Sequence, residues 1–316
     1  MMDDSRVIPD ERLRLIFICC HPAVASEARA ALTLRMVCGL TVTEVARAFL
    51  VEEATLAQRL VRAKRKIADA GVSFELPSPD LWPERLEAVF STLEVAYSKA
   101  HEDAAGAGPY AGFATEMLRL AKLLVTLVPD AGEAYALAAL MHYAEGRRPA
   151  RVDADGIMVP LSEQDPKLWR RDLIGEADTL LAQAAKRGPS SARMLQAELQ
   201  AAWCKRRSLD DPAPWPQVLR LYNRLLAVRD DVIVRLNRVV ALAEVTSTTV
   251  ALIELQALDG TKLARFAPYH AVRAELLARV GRKQDARAAY ETMLSLEPPP
   301  AEQRWLRRQL ARLERR

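Results

Sequence analysis

The chain has 316 residues, half of them hydrophobic, with only 12 glycines and a net charge of +4. Length and composition exclude a disordered or collagen-like polypeptide and leave room for two domains or one elongated helical array. So small a charge is too mild to show nucleic-acid binding by the surface as a whole, and the local distribution of charge matters more. The N-terminus carries acids where a secretory signal has its basic region, and no apolar run approaches membrane-spanning length, so a soluble, cytoplasmic protein with no membrane partner is expected. Four cysteines, Cys19, Cys20, Cys38 and Cys204, do not make a disulfide framework at this length.

In chain order, residues 9–20 predict a first helix with Leu13, Ile16, Phe17 and Cys20 inward, ended by His21-Pro22. Cys19, Cys20 and His21 offer metal-binding atoms. Adjacent cysteines lack the usual zinc-ligand separation and no second pair follows, so no metal is expected and they read as small core residues. Ser26 is the expected cap of a second helix over residues 27–38, whose Ala31, Leu32, Leu34, Met36 and Val37 are apolar; Gly39 closes it.

Residues 40–68, LTVTEVARAFLVEEATLAQRLVRAKRKIA, predict two helices joined by a short turn at residues 50–53. Thr41 or Thr43 caps the first, Glu44 follows Thr41 as in a capping box, and Val45, Ala46 and Phe49 form its inner face. In the second, Leu56, Leu60, Ala63 and Ile67 share one narrow face. A separate stripe of Thr55, Gln58, Arg59, Arg62 and Lys66 has duplex-reading chemistry. Arg and Gln pair with purine edges, Thr reaches a base or a thymine methyl, and Lys66 suits a phosphate. Arg59, Arg62, Lys64, Arg65 and Lys66 form one dense basic cluster, whereas most other charge is mixed in sign.

The run RLRLIFICCHPAVASEARAALTLRMVCGLTVTEVARAFLVEEATLAQRLVRAKRKI, with its Gly-Leu-Thr turn and its Arg/Lys-rich tail, resembles region 4 of sigma-70-family initiation factors of the extracytoplasmic-function class. The Cys-Cys-His-Pro stretch, the Ala-Phe-Leu-Val turn and the tail RLVRAKRKI resemble the subgroup with a long C-terminal helical-repeat extension. The resemblance implies a module that reads the −35 promoter element and docks on the β flap of RNA polymerase core. It makes Glu53, Thr55, Gln58, Arg59 and Arg62 the DNA-contact candidates, with Lys64, Arg65 and Lys66 on the backbone. Nothing before Pro9 matches region 2 of that family, so its absence is expected.

The expected organisation is all-α: a four-helix region-4 helix-turn-helix module at 9–70, a linker at 71–83, and a TPR-like α-solenoid at 84–316. Pro77, Pro79 and Pro83 block a continuous helix in the linker. In residues 268–298 the positions Gly281, Ala286, Tyr290, Leu294 and Pro298 have tetratricopeptide spacing, with weaker echoes at 120–146 and 219–245. One hairpin cannot bury its apolar face alone, so neighbours must stack.

Residues 147–169, RRPARVDADGIMVPLSEQDPKLW, interrupt the pattern. Asp153, Asp155 and Gly156 match the start of a calcium loop, but its remaining acids are out of place. A structured loop with a short strand at 157–159 is expected, with Gln164, Asp165 and Trp169 holding a surface shared with the resembling subgroup. That family's Asn-Glu-Gly-Tyr segment is Glu94-Val95-Ala96-Tyr97 here, retaining only the Tyr. His21, His101, His142 and His270 stand beside no recognisable nucleophile or paired carboxylates, and no Gly-rich phosphate loop occurs, so neither an enzyme nor a cofactor is expected. The first functional reading is a sigma-like initiation protein whose helical repeats regulate it, by shielding the recognition helix or by receiving a signal-bearing protein. The alternative is a TPR-like interaction scaffold with a helical cap that does not bind DNA.

Overall fold

Apolar residues recurring every three or four positions, stopped by Gly and Pro, set the helices out along the chain. The computed structural model describes residues 11–37, 39–49, 51–71, 82–102, 113–258 and 260–315. Among these residues the architecture is all-α, and extended backbone pairs only in an isolated antiparallel bridge between Val152 and Met158. The chain divides into two compact units, residues 1–103 with 107–141, and residues 104–106 with 142–316.

The first unit begins with α1 (Glu11–Cys19), α2 (Ser26–Met36), α3 (Val42–Phe49) and α4 (Glu53–Asp69). Ser26, expected as a cap, is instead the first residue of α2, and Ala25 stands at the N-cap with no side-chain hydrogen bond. The preceding turn is closed by other groups: the Ala23 amide donates to His21 Nδ1 (3.1 Å) and Arg29 Nε donates to the Val24 carbonyl (2.9 Å). Gly39 has φ +70, the left-handed conformation a β-carbon disfavours, and lets the Leu40 amide fold back onto the Leu34 carbonyl at 3.2 Å.

Of the expected linker, residues 72–81 lie outside the described residues. Pro83 does not break a helix; it stands in the first turn of α5 (Trp82–Glu102), where the missing N–H has no intrahelical partner to lose. This α5 packs on α1 and α2, burying Val89, Phe90 and Leu93, with Cys20 Sγ 3.3 Å from Thr92 Oγ1 and 3.6 Å from the Ala88 carbonyl. α6 (Phe113–Leu127) packs on α5. Tyr97 of α5 is buried, and its hydroxyl donates to the Met141 carbonyl of α7 (Gly132–Arg147) at 3.3 Å. The division between units falls inside α7.

In the second unit, α8 (Arg171–Ala185), α9 (Ala192–Cys204), α10 (Trp215–Val228), α11 (Val232–Val245) and α12 (Thr248–Gln256) each pack on the next. The short α13 (Gly260–Leu263) precedes α14 (Ala267–Arg279), α15 (Lys283–Ser295) and α16 (Pro300–Arg315). α14 packs on α11 and α12, α15 on α14, and α16 on α15. Side chains cap these helices where the sequence offers them: Ser191 accepts from the Met194 amide, Asp231 from Ile233 and Val234, and Ser247 from Val250. The α14–α15 hairpin turns at Gly281 (φ +80), and its Ala286 and Tyr290 are 0% and 1% exposed. Leu294 is half-buried and Pro298 buried.

Residues 148–168 fold as three short 3-10 turns, Arg148–Ala150, Leu161–Glu163 and Pro166–Leu168. The strand expected at 157–159 is reduced to the one bridge at Met158, flanked by hydrogen bonds from the Asp153 amide to the Ile157 carbonyl (2.9 Å) and from the Val159 amide to the Arg151 carbonyl (2.8 Å). The Ile157 amide donates to the Asp153 carboxylate at 2.9 Å, and the Met158 amide to the Ala301 carbonyl of α16 at 3.1 Å. Asp153 also accepts from the Asp155 amide at 3.0 Å, so its carboxylate closes a turn.

Candidate nucleic-acid interface

The N-terminal module holds α4 by its apolar stripe. Leu56, Leu60 and Ala63 are buried, each Leu contributing roughly 1.5–3 kcal/mol by leaving water, while Ile67 near the C-terminal end is half-buried. α2 and α3 supply the opposing surface, with Leu32, Leu34, Val45 and Ala46 buried. Arg35 Nη1 donates to the Leu40 carbonyl at 2.9 Å and ties the end of α2 to the turn before α3. α3 starts at Val42, which puts Thr41 immediately before it and Thr43 within it. The side chains of Glu44 and Phe49, expected in the box and on the inner face, lie outside the described residues.

The Val51 amide donates to the Ala46 carbonyl at 3.1 Å across the turn from α3 to α4. Glu52 is the N-cap of α4, in extended conformation and with no side-chain hydrogen bond to the helix. Its first-turn amides therefore keep the positive end of the helix dipole available to solvent or to an anion.

All eight expected contact residues fall on α4, and seven of them are exposed; Arg59 is half-buried. At 100° per residue, Thr55, Gln58, Arg59, Arg62, Arg65 and Lys66 share an arc of about 120° turned away from the buried stripe. Glu53 and Lys64 lie outside that arc, along the other edge of the stripe. Lys64 is close enough to Cys19 for its charge to act on that thiol. Arg65 pairs with Asp69 at 3.6 Å, and Arg62 Nε donates to the Gln58 carbonyl at 3.4 Å. Among the described residues Arg59, Arg62, Lys64 and Lys66 have no carboxylate partner. Such a face sums to a positive potential along one side of the helix and can neutralise phosphates while presenting hydrogen-bond donors to base edges. Val61, 67% exposed on the same helix, is an apolar group able to meet a thymine methyl. Its position three residues after Gln58 was the available signal for it.

The cysteine and histidine atoms in this module are otherwise engaged. Burial, with the neighbouring Cys20, pushes the Cys19 thiol up to about 12, and burial also raises Cys20, so both stay protonated. His21 is held below the ordinary histidine range by desolvation and by Arg85 and Arg29. No group of three or more His, Cys, Asp or Glu arranged to hold a metal ion occurs among the described residues. His142 and Tyr143 are 1% and 0% exposed. Glu176 lies 3.5 Å from His142 Nε2, and the Tyr143 hydroxyl donates to Asp178 at 2.6 Å.

In the loop that interrupts the helices, Asp165 accepts from the Lys167 amide at 2.9 Å, and Gln164 Nε2 donates to the Val159 carbonyl at 3.2 Å. Trp169 is buried, with the Arg171 guanidinium 5.3 Å from its ring centre. These residues hold the loop together. No described helix is long and apolar enough to cross a membrane.

Comparison with known proteins identifies the N-terminal module. Residues 14–67 match the family described as sigma-70, region 4, and residues 85–185 match a family of unknown function, DUF6596. Over 305 residues the chain is 35% identical to the uncharacterized protein R00370 of Rhizobium meliloti (strain 1021), an alignment covering 96% of this chain and 72% of that protein. No solved structure gives a significant match.

Proposed function

The chain belongs to the family of the Rhizobium meliloti protein R00370 and carries a sigma-70 region 4 domain, and from that premise we propose that it is a sigma-factor-like transcription initiation protein of the extracytoplasmic-function class. The module at residues 9–70 binds promoter DNA at the −35 element and RNA polymerase core at the β flap. It works in the cytoplasm, and its role is binding, with no catalysis of its own. The observation that carries this reading is the outer face of α4, where exposed donors stand opposite the buried stripe that fixes the helix.

Within that face Thr55, Gln58, Arg59 and Arg62 read base edges, and Arg65 and Lys66 set the register on phosphates. Glu53 acts from the first turn, the end of a recognition helix that enters the major groove, and Lys64 contacts the backbone from the other edge. Residues 84–316 form the TPR-like helical-repeat extension, which receives a regulatory protein. Support comes from the successive packing of α8 to α12 and α14 to α16, and from the small and aromatic plugs Ala286 and Tyr290.

The test is retention of the full chain on immobilised RNA polymerase core, alone and with a region 2 domain supplied in trans. Retention in either case, lost on deletion of residues 9–70, is the expected result. No retention in both cases contradicts the proposal and favours an interaction scaffold.

A further inference from the structure

Positive charge is concentrated in two segments. α4 carries five Lys or Arg and two acids, net +3, and residues 300–316 carry six arginines and two glutamates, net +4. The whole chain is +4, so everything outside these two segments is net −3, which is +4 less their +7. α16 itself ends at Arg315 and holds five of those arginines with both glutamates, net +3, so it equals α4 as a basic helix on an otherwise slightly acidic chain.

The inner side of α16 is fully used. Leu306 is 0% exposed, and Trp305, Leu310 and Leu313 pack with Ala274, Tyr290 and Met293, the Trp305 ring edge-on to Tyr290 at 6.0 Å. The outer side presents Arg304, Arg307, Arg308 and Arg312, all exposed and within about 140° of the circumference at 100° per residue. Arg304 is anchored, its Nε and Nη2 donating to the Gly156 carbonyl at 3.0 and 2.8 Å. Among the described residues Arg307 donates to Gln303 alone, at 3.3 Å, and Arg308 pairs with Asp153 at 3.9 Å. Arg312 has no carboxylate partner among the described residues. The exposed acid of the same helix, Glu314, is taken by Arg287 at 3.1 Å. Several exposed arginines elsewhere in this unit are neutralised, as in Arg224 with Glu198 (2.9 Å) and Arg235 with Asp230 (2.6 Å), but they are not drawn up in one row of a single helix.

We propose that the outer face of α16 is a phosphate-binding surface that takes duplex DNA without regard to sequence. Every cation on it is an arginine, whose planar fork matches phosphate oxygens. Arg304, Arg308 and Arg312 advance about 6 Å per step along the helix, so they form a row suited to a line of charges. The large apolar residues of α16 are turned inward, so the face lacks the aromatic or aliphatic anchor that an acidic protein partner needs at the centre of its interface. Charge on its own fits a backbone, which supplies affinity and carries no sequence information.

The experiment uses the full chain with Arg59→Gln, Arg62→Gln and Lys66→Gln, which brings α4 from net +3 to net zero and removes three of its DNA contacts from the measurement. Binding of a labelled duplex of arbitrary sequence is followed by fluorescence anisotropy from 50 to 200 mM KCl, before and after adding Arg307→Gln, Arg308→Gln and Arg312→Gln. At a slope of about −0.9 per phosphate, losing three contacts makes log K against log salt shallower by about 2.7, a roughly 40-fold difference across that range. Lys at the same three positions restores most of the slope, while circular dichroism stays unchanged in both sets. An unchanged slope in the Gln variant overturns the proposal. Binding of a polyglutamate peptide without binding of duplex also overturns it, in favour of an acidic protein partner. Because α4 is neutralised throughout, failure here leaves its base-reading role untouched, and failure of that role leaves this surface intact.

Discussion

α4 and α15 are built alike on the inside and differently on the outside. Each follows a short turn and buries a narrow stripe, Leu56, Leu60 and Ala63 in one and Ala286, Ala289, Tyr290 and Met293 in the other. On the outer face of α15 the charges answer one another: Arg287 pairs with Glu291 at 2.9 Å and Glu314 at 3.1 Å, and Arg282, at its N-cap, with Asp285 at 2.8 Å. On α4, among the described residues, only Arg65 has such a partner, Asp69 at 3.6 Å. Exposed pairs contribute little to stability, so pairing marks a face that ends in water. A row of like charges with no partner raises the local potential at a cost to the fold, and α4 carries one where α15 does not.

The largest effect that separates the two helices is loss of the α15 plug. Tyr290→Ala removes a 1%-exposed ring and its hydroxyl bond to Glu275 at 3.2 Å, and should destabilise the second unit by about 3–5 kcal/mol in a urea titration. Base preference should survive that change in mild conditions. Leu60→Ala, at 5% exposure, should cost about 2–5 kcal/mol and abolish DNA binding by releasing α4; retained binding would show that the stripe does not hold the helix.

A smaller effect sharpens the outer-face comparison. Arg62→Ala should cost about 1–3 kcal/mol on a preferred duplex and relax choice at one base pair, whereas Lys66→Ala should weaken every sequence alike. Equal losses on all sequences for Arg62→Ala would remove its reading role. The smallest effect is a pH dependence. Burial pushes the Cys204 thiol up to about 11, so the folded chain holds this proton more tightly than the unfolded chain does. Stability from this group is complete below the ordinary thiol value near 9 and falls as pH rises from there towards 11. Denaturation midpoints between pH 8.5 and 10.5 should drop less in Cys204→Ala.

Local signals in the sequence were sufficient for most of the helices, for Gly39 and Gly281 at their turns, and for the Ala286 and Tyr290 plugs, because each depends on neighbours within one or two turns. What escaped depends on distant residues. Nothing around Thr92 announces that α5 packs on α1 through Cys20, 72 residues earlier. The loop at 153–158 is held by Arg304 and Ala301 of α16, some 140 residues on. Ser26 looked like a cap by residue type, yet His21 and Arg29 had already closed that turn. On α4 the spacing placed the stripe Thr55, Gln58, Arg59, Arg62 and Lys66 on one face; that Lys64 and Glu53 stand apart from it follows from the same 100° step.

The central claim is that the outer face of α4 reads base edges. Selection from a pool of randomised duplexes, by the full chain together with RNA polymerase core, tests it most directly. Enrichment of a defined motif, degraded at one position by Arg62→Ala and unaffected by Lys66→Ala, is the predicted result. A pool that stays random after selection, or a motif that Arg62→Ala leaves intact at every position, would contradict it.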